Sequence, residues 1–308
     1  MRLRIFLLTL SFFLLGAAAA PVLAQQDILV PIPMKPKPKP KPKPKPKPRT
    51  NKPSAAQTRE AILNRLVANI VRVEGGTFTM GGTSEQGSDA NSDDKPTHQV
   101  TLSTFYIGKY EVTQAEWKAV MGTNPSNHKG DNLPVGGVSW GDCQEFIRKL
   151  NELTGKQFRL PTEAEWEFAA RGGTKSQGYL YAGSNNIQEV AWYGSNSGNT
   201  TQPVGTKQPN ELGIYDMSGN VIEWCSDWLG PYSAEAQVNP IGPATGAYHV
   251  YCGGCWYLPA NVCRCTHRRQ TTAGYGEAAV GLRVALREKI EPEAVDLGLS
   301  VKWANFNV

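Results

Sequence analysis

The chain has 308 residues and a formal net charge of +5, and the positive charge is concentrated at its beginning. Residues 1–53 hold 11 Lys and Arg against one acidic residue, so the rest of the chain, with 21 basic and 26 acidic residues, has a net charge of −5. An acidic body excludes a sequence-independent nucleic-acid binder. A hydrophobic fraction of 40% and 8 Trp exclude a disordered body.

The first 24 residues have the pattern of a secretory signal peptide. Arg2 and Arg4 precede a short apolar stretch, and Val22, Leu23 and Ala24 form a small-residue cleavage pattern. This pattern predicts a secreted, periplasmic or cell-envelope protein, and an uncleaved anchor is the alternative. Past this segment no apolar run reaches the ~18 residues of a membrane span. Export also makes disulfides permissible.

A Lys-Pro-rich linker is predicted over residues 25–53. Seven Lys-Pro dipeptides fill residues 35–48. Proline forbids a helix, so this segment is predicted to be a polyproline II rod. The rod is interpreted as a spacer, or alternatively as a tether to an anionic envelope polymer.

The next 120 or so residues predict short helices and strands. A leader helix over 54–70 presents an apolar face, residues 71–82 predict a strand with a hairpin end, and residues 98–113 predict a second strand pair. Further helices begin at Thr113, Ser139 and Thr162, and two of these residues open the capping-box pattern with Glu116 and Glu165. From 174 to about 250 no long periodicity is present. The sequence therefore predicts an α+β body with much ordered loop.

Several catalytic patterns are weak. The four His lack paired-ligand spacing, so a His-rich zinc site is unsupported. Ser139 in GVSWG formally matches a nucleophile elbow but is better interpreted as a helix cap. Four of the six Cys fall within 252–265. In an exported chain a disulfide is favoured over zinc, with a Cu(I) or redox thiol site as a further alternative.

The segment YDMSGNVIEW offers a loop for a hard cation. Asp216 and Glu223 flank a Gly-Asn turn, and side-chain carboxylates combined with loop carbonyls are the ligands that Ca²⁺ prefers.

Taken in order, the motifs of residues 71–287 closely resemble the formylglycine-generating enzyme, or sulfatase-modifying factor, family. They are VEGGTFTMG, FYIGKYEVTQAEW, LPVGGVSWGDC, RLPTEAEWEFAARGG, PVGTKQPNELGIYDMSGNVIEWCSDW, YCGGCW and GLRVAL. The resemblance implies a single elaborated C-type-lectin-like domain that is poor in regular secondary structure and stabilised by calcium. It also implies calcium ligands at Asp216, Gly219, Val221 and Glu223.

Family members use O2 and Cu(I), held by two Cys, to convert a Cys of an exported sulfatase to formylglycine. The resemblance places Cys263 at one copper-ligand position, whereas the other position is Leu258. Cys255 replaces a family Ser beside the metal and is the candidate second thiol for catalysis and copper binding. Ile222 and Ala279 replace two further active-site residues. Three of the four positions have therefore changed.

Two classes of function follow. The favoured one is an exported binding module, or a module of altered activity, whose residues 257–280 recognise a protein or glycan ligand. The resemblance extends to variable proteins that diversify this stretch as a lectin-like binding face. The alternative is a copper-dependent oxidase acting on a sulfatase. A structural part of an envelope complex is a third interpretation. The tail over 288–308 is predicted to leave the domain, as a vestige or a strand that docks on the body.

Overall fold

The computed structural model describes residues 54–89 and 92–287, together with two short backbone strands at 294–295 and 303–304. The predicted signal peptide and Lys-Pro linker lie outside the described residues, as does most of the predicted tail. The described part contains no helix that is long and apolar enough to cross a bilayer.

Five short helices are described: α1 (Ala55–Ala68), α2 (Gln114–Met121), α3 (Trp140–Thr154), α4 (Glu163–Ala170) and α5 (Ile187–Val190). The predicted capping boxes form, because the hydroxyls of Thr113 and Thr162 accept from the N–H groups of Glu116 and Glu165. Ser139 also caps α3 rather than standing on a nucleophile elbow, and α3 ends at Gly155 with φ +65°. Local sequence therefore sets these helix ends.

The strands are short and arranged in three main sheets. In chain order they are β1 (Ile70–Val73), β2 (Gly76–Met80), β3 (His98–Leu102), β4 (Phe105–Gly108), β5 (Phe158–Arg159), β6 (Ile222–Trp228), β7 (Gln237–Val238), β8 (His249–Cys252), β9 (Arg268–Thr271), β10 (Val280–Gly281), β11 (Ala285–Arg287), β12 (Ala294–Val295) and β13 (Trp303–Ala304). The sheet orders are β1-β4-β11-β5, β10-β6-β8-β9 and β2-β3-β7, and β12 pairs with β13. This is the α+β single domain that the sequence predicts.

Two predicted strand units differ from the structure. Residues 71–82 do not form one strand, because the chain passes from β1 to β2, which lie in different sheets. Gly75 stands at the crossing, where an added Cβ would lie 2.5 Å from the Leu102 carbonyl oxygen. Residues 98–113 likewise form β3 and β4, which pair with other strands rather than with each other. Ile70 begins β1 instead of ending the leader helix.

Two large hydrophobic clusters hold the domain together. One packs α1, α2 and α3 against β6 and β10, and its Trp117 and Phe146 rings stack with centroids 4.9 Å apart. The other surrounds the fully buried Trp166 of α4. The four-stranded sheet β10-β6-β8-β9 borders both clusters, and its strands lead into the segments that carry the predicted site residues.

Candidate functional site

The surface of residues 257–280 carries a fixed pair of tyrosines. Tyr257 and Tyr275 are 37% and 41% exposed, and both hydroxyls donate to the carboxylate of Glu277. The Tyr275 hydroxyl lies 2.7 Å from Glu277 Oε2. Arg269, exposed on the edge strand β9, belongs to the same stretch. We call Tyr257, Arg269, Tyr275 and Glu277 the tyrosine face.

A narrow crevice is lined in part by residues of this stretch. Its volume is about 10 Å³, and its lining includes Ile222, Leu258 and Val262. A pocket that holds a small molecule usually measures hundreds of Å³. The crevice therefore has no room for a peptide substrate in this conformation.

Cys255 and Cys263, the candidate thiol pair, lie near each other, and both are fully buried. The backbone N–H of Cys255 hydrogen-bonds to the sulfur of Cys263, and that thiol points toward the Pro259 carbonyl at 3.8 Å. Burial raises the pKa of each thiol to about 12. All six cysteines are reduced in the structure.

These observations bear on how well a Cu(I) ion fits. Two neighbouring thiols are a soft donor pair, and Cu(I) would supply oxygen chemistry when bound. The donor set resists it, because both thiols are held protonated by burial and Leu258 offers only hydrocarbon. The site as built is a poor fit for a copper-dependent reaction.

Comparison with known proteins places the chain in a family. Residues 56–288 match the family described as "Sulfatase-modifying factor enzyme 1-like domain". The chain belongs to the sulfatase-modifying factor family.

Individual members resemble the chain over most of their length. It is similar to the chaperone protein LppX of Paenibacillus barcinonensis, with 38% identity covering 70% of this chain and 88% of that protein. It is 30% identical to the formylglycine-generating enzyme of Streptomyces coelicolor, over 75% of this chain and 93% of the enzyme. The solved structure of Treponema denticola variable protein 1 covers 71% of this chain and 94% of its own, with 32% identity and a TM-score of 0.65.

In this sulfatase-modifying factor domain the predicted calcium loop is part of a buried charge network. Glu223 and Arg283 are fully buried, and Arg283 Nη2 lies 2.7 Å from Glu223 Oε1. The Trp166 indole N–H donates to the other carboxylate oxygen of Glu223 at 2.7 Å. Arg283 therefore already supplies the positive charge that this carboxylate needs.

Asp216 is the second predicted calcium ligand, and it lies in the same network. Its backbone has φ +60°, and its Oδ2 accepts from the Gly205 N–H at 2.7 Å. Burial raises the pKa of Asp216 to about 6, and the Glu223 charge contributes. Gly219 and Val221 lie on the turn between these acids. The N–H of Gly219 donates to the Gly253 carbonyl at 2.7 Å.

Sequence reasoning missed a third acid in the network. Glu111 is buried and accepts from the Val221 N–H at 2.9 Å and the Asn220 amide at 2.7 Å. Burial raises its pKa well above the ordinary value, and the charges of Asp216 and Glu223 raise it further. Glu111 is one of two acidic residues inside FYIGKYEVTQAEW, and no local sequence pattern links it to Asp216 or Glu223.

The fit to Ca²⁺ is mixed. Three carboxyl groups cluster around one guanidinium, and a hard cation bound there would take the place of the protons that the raised pKa values of Glu111 and Asp216 favour. Against this, both oxygens of Glu223 are engaged by Arg283 and Trp166. Within residues 54–89 and 92–287 no group of three or more His, Cys, Asp or Glu is arranged to hold a metal ion.

A polar cavity of about 320 Å³ lies elsewhere and contains none of the predicted site residues. It is lined by the Arg268–Glu163 ion pair, Tyr232 and Asp227, among others. Tyr232 donates to Glu163 at 2.9 Å, and the Arg268 guanidinium lies 4.2 Å from the Tyr232 ring. Glu163 lies in TEAEW and Asp227 in CSDW, two motifs that carry the family resemblance but did not indicate a cavity.

Proposed function

We propose that this sulfatase-modifying factor domain is an exported binding module that recognises a glycan or an exported protein through its tyrosine face. The Lys-Pro linker holds the domain away from an envelope surface in this proposal. The observation that carries it is the pair of exposed tyrosines whose hydroxyls are fixed by one carboxylate, Glu277.

Fixed tyrosines suit recognition for a physical reason. A Tyr ring offers a large contact area and a polar edge, and it loses little conformational freedom on binding. Here that freedom is already restricted before any ligand arrives, because Glu277 holds both hydroxyls. Such pre-organisation lowers the entropic cost of association. Arg269 adds a charge that can pair with an acidic or hydroxylated ligand.

The buried side of the same region supports binding over oxidation. The reaction of the family needs a substrate Cys to approach soft thiolates. Here the crevice measures about 10 Å³ and the Cys255 and Cys263 thiols have a pKa of about 12. Ile222 and Leu258 close the crevice with hydrocarbon.

Screening a glycan array and a displayed peptide library with the labelled protein tests the proposal. We expect a ligand whose binding falls at least tenfold in the Tyr257→Ala/Tyr275→Ala variant. Tyr248→Ala is the matched control, because Tyr248 is 46% exposed but lies outside residues 257–280. If every ligand found ignores Tyr257 and Tyr275, or none is found, the tyrosine face is not a binding site.

The alternative function, copper-dependent formylglycine formation, has its own test. A sulfatase peptide with the pattern Cys-x-Pro-x-Arg is incubated with the protein, copper, a reductant and air, and followed by mass spectrometry. We expect no conversion of the peptide thiol to an aldehyde. Conversion that is abolished by Cys263→Ser would establish an oxidase in which Cys255 acts as the second thiol.

A further inference from the structure

Two buried cysteines outside the predicted site contact each other across the central sheet. Cys225 lies on β6 and Cys252 ends β8, and both belong to the hydrophobic cluster around Trp166. Each thiol lies close enough to the other to influence its pKa. Cys225 is 0% and Cys252 5% exposed, so solvent does not separate them.

The strand register explains why these two side chains meet. Glu223 of β6 stands opposite Cys252 of β8, so their side chains share a face of the sheet. Cys225 is two residues farther along β6 and therefore lies on that face as well. Because Trp224 stands opposite Tyr251, Cys225 lies diagonally across from Cys252 on that face, and the register shifts beyond Trp224.

The other four cysteines are placed differently. Cys143 lies on α3 in the other hydrophobic cluster. The Cys265 thiol points to the Ala170 carbonyl at 3.6 Å. Cys263 meets the backbone N–H of Cys255 and points to the Pro259 carbonyl. Of the described cysteines, Cys225 and Cys252 are the pair whose side chains act directly on each other across two strands of one sheet.

We propose that Cys225 and Cys252 form a disulfide that ties β6 to β8. Two thiols lose two protons and two electrons as the S–S bond forms. A disulfide oxidant, such as oxidised glutathione or the disulfide of an exported thiol oxidase, accepts them and splits into two thiols. Because both cysteines are buried in the folded chain, the exchange takes place before the two strands close together.

The bond would act on the segments that carry the tyrosine face. β8 runs directly into Gly253, Gly254 and the residues after them, and β9 of the face pairs with β8. A covalent link from β8 to β6 lowers the conformational entropy of the unfolded chain and so favours the folded sheet. This inference does not depend on the proposed ligand, because it concerns the support of the face rather than its contacts.

Peptide mapping tests the proposal directly. The full chain is unfolded, refolded in a mixture of oxidised and reduced glutathione with EDTA, alkylated and digested. We expect one crosslinked peptide pair that joins Cys225 to Cys252, with the other four cysteines alkylated. Alkylation of both Cys225 and Cys252, or a crosslink from either to a different cysteine, would overturn the proposal.

Thermal melts supply a second readout. Reductant should lower the Tm of the oxidised wild-type protein by several degrees and leave the Cys225→Ala/Cys252→Ala variant unchanged. Cys143→Ala, which removes a buried thiol from the other cluster, should keep the response to reductant. A crosslinked wild-type protein whose Tm ignores reductant would contradict the stabilising link. If the double variant does not fold, the peptide map of the wild-type protein and the change of its Tm on adding reductant still test the disulfide.

Discussion

Asp227 is a buried carboxyl group whose surroundings disfavour its charged form. Burial raises the pKa of Asp227 to about 7, and the nearby Glu163 charge adds to the effect. An unfolded Asp titrates near 4. Between pH ~4 and ~7 the folded chain therefore binds more protons at this residue than the unfolded chain. This residue's contribution to stability is present at low pH and is lost as pH rises through that window.

We therefore predict that Asp227→Asn changes the pH dependence of stability. The amide keeps an acceptor for the Glu163 N–H, which lies 3.1 Å from Asp227 Oδ2, and cannot ionise. Relative to wild type, the variant should gain roughly 2 to 3 kcal/mol in the free energy of unfolding between pH 5 and pH 8, since the wild-type protein loses about 1.4 kcal/mol per pH unit up to the pKa of Asp227. Urea denaturation at both pH values measures this. Glu235→Gln, at an exposed position, is the control, and parallel pH curves for Asp227→Asn and wild type would contradict the assignment.

The buried carboxylates of Glu111, Asp216 and Glu223 lead to a prediction on calcium. They face one buried guanidinium, that of Arg283, and a divalent cation would replace the protons that the raised pKa values of Glu111 and Asp216 favour in its absence. A ligand that binds only the folded chain raises stability by mass action. We expect the Tm in millimolar calcium to exceed that in EGTA by several degrees.

Asp216→Asn should abolish that calcium difference, and Asp131→Asn, at an exposed position, should retain it. If the wild-type protein has the same Tm in calcium and in EGTA, calcium does not bind this loop. Arg283 is then the counter-charge of the network.

At the scale of elements, α1 stabilises the domain through its apolar face. Leu66 is 4% exposed within the cluster of α2 and α3, and the Arg59 side chain donates to the Ala119 carbonyl at 2.6 Å. Leu66→Ala should lower the free energy of unfolding by about 2 to 4 kcal/mol, because it removes buried methyl groups and leaves a cavity. Leu153→Ala on α3, at a site 42% exposed, should cost much less. Chemical denaturation compares them, and equal losses would mean that α1 is not packed as described.

The helix ends could be predicted from local sequence, whereas the pairing of the strands could not. A capping box lies within four residues, so Thr113 with Glu116 and Thr162 with Glu165 identify helix starts from sequence alone. The split between β1 and β2 depends on the close approach of Gly75 to the Leu102 carbonyl, a contact set by another strand. An alternating pattern such as that of residues 71–82 has the same appearance whether it stays in one sheet or crosses between two.

The same limit applied to the candidate site. The turn between Asp216 and Glu223 is local, so the sequence showed it. The partners that decide its chemistry are distant, since Glu111 reaches Val221 across 110 residues and Arg283 reaches Glu223 across 60. The Cys225–Cys252 contact was hidden for a similar reason, because it depends on the register of β6 against β8.

At the scale of the whole molecule, the described residues contain the packing that the fold needs. Both large hydrophobic clusters and the Glu223–Arg283 pair lie between residues 63 and 285. The Lys-Pro segment is predicted to be a polyproline II rod, which has no internal hydrogen bonds and packs no core of its own. The chain of residues 54–287 should therefore have a Tm within a few degrees of that of the full chain.

A chain that begins at residue 71 is the informative comparison, because it lacks α1 and so removes Leu63 and Leu66 from the cluster. We expect the Tm of that shorter chain to be markedly lower, or the chain to bind a hydrophobic dye as a loosely packed state does. Calorimetry and near-ultraviolet circular dichroism compare the three proteins. A molten or insoluble product from residues 54–287 would show that the Lys-Pro segment takes part in folding.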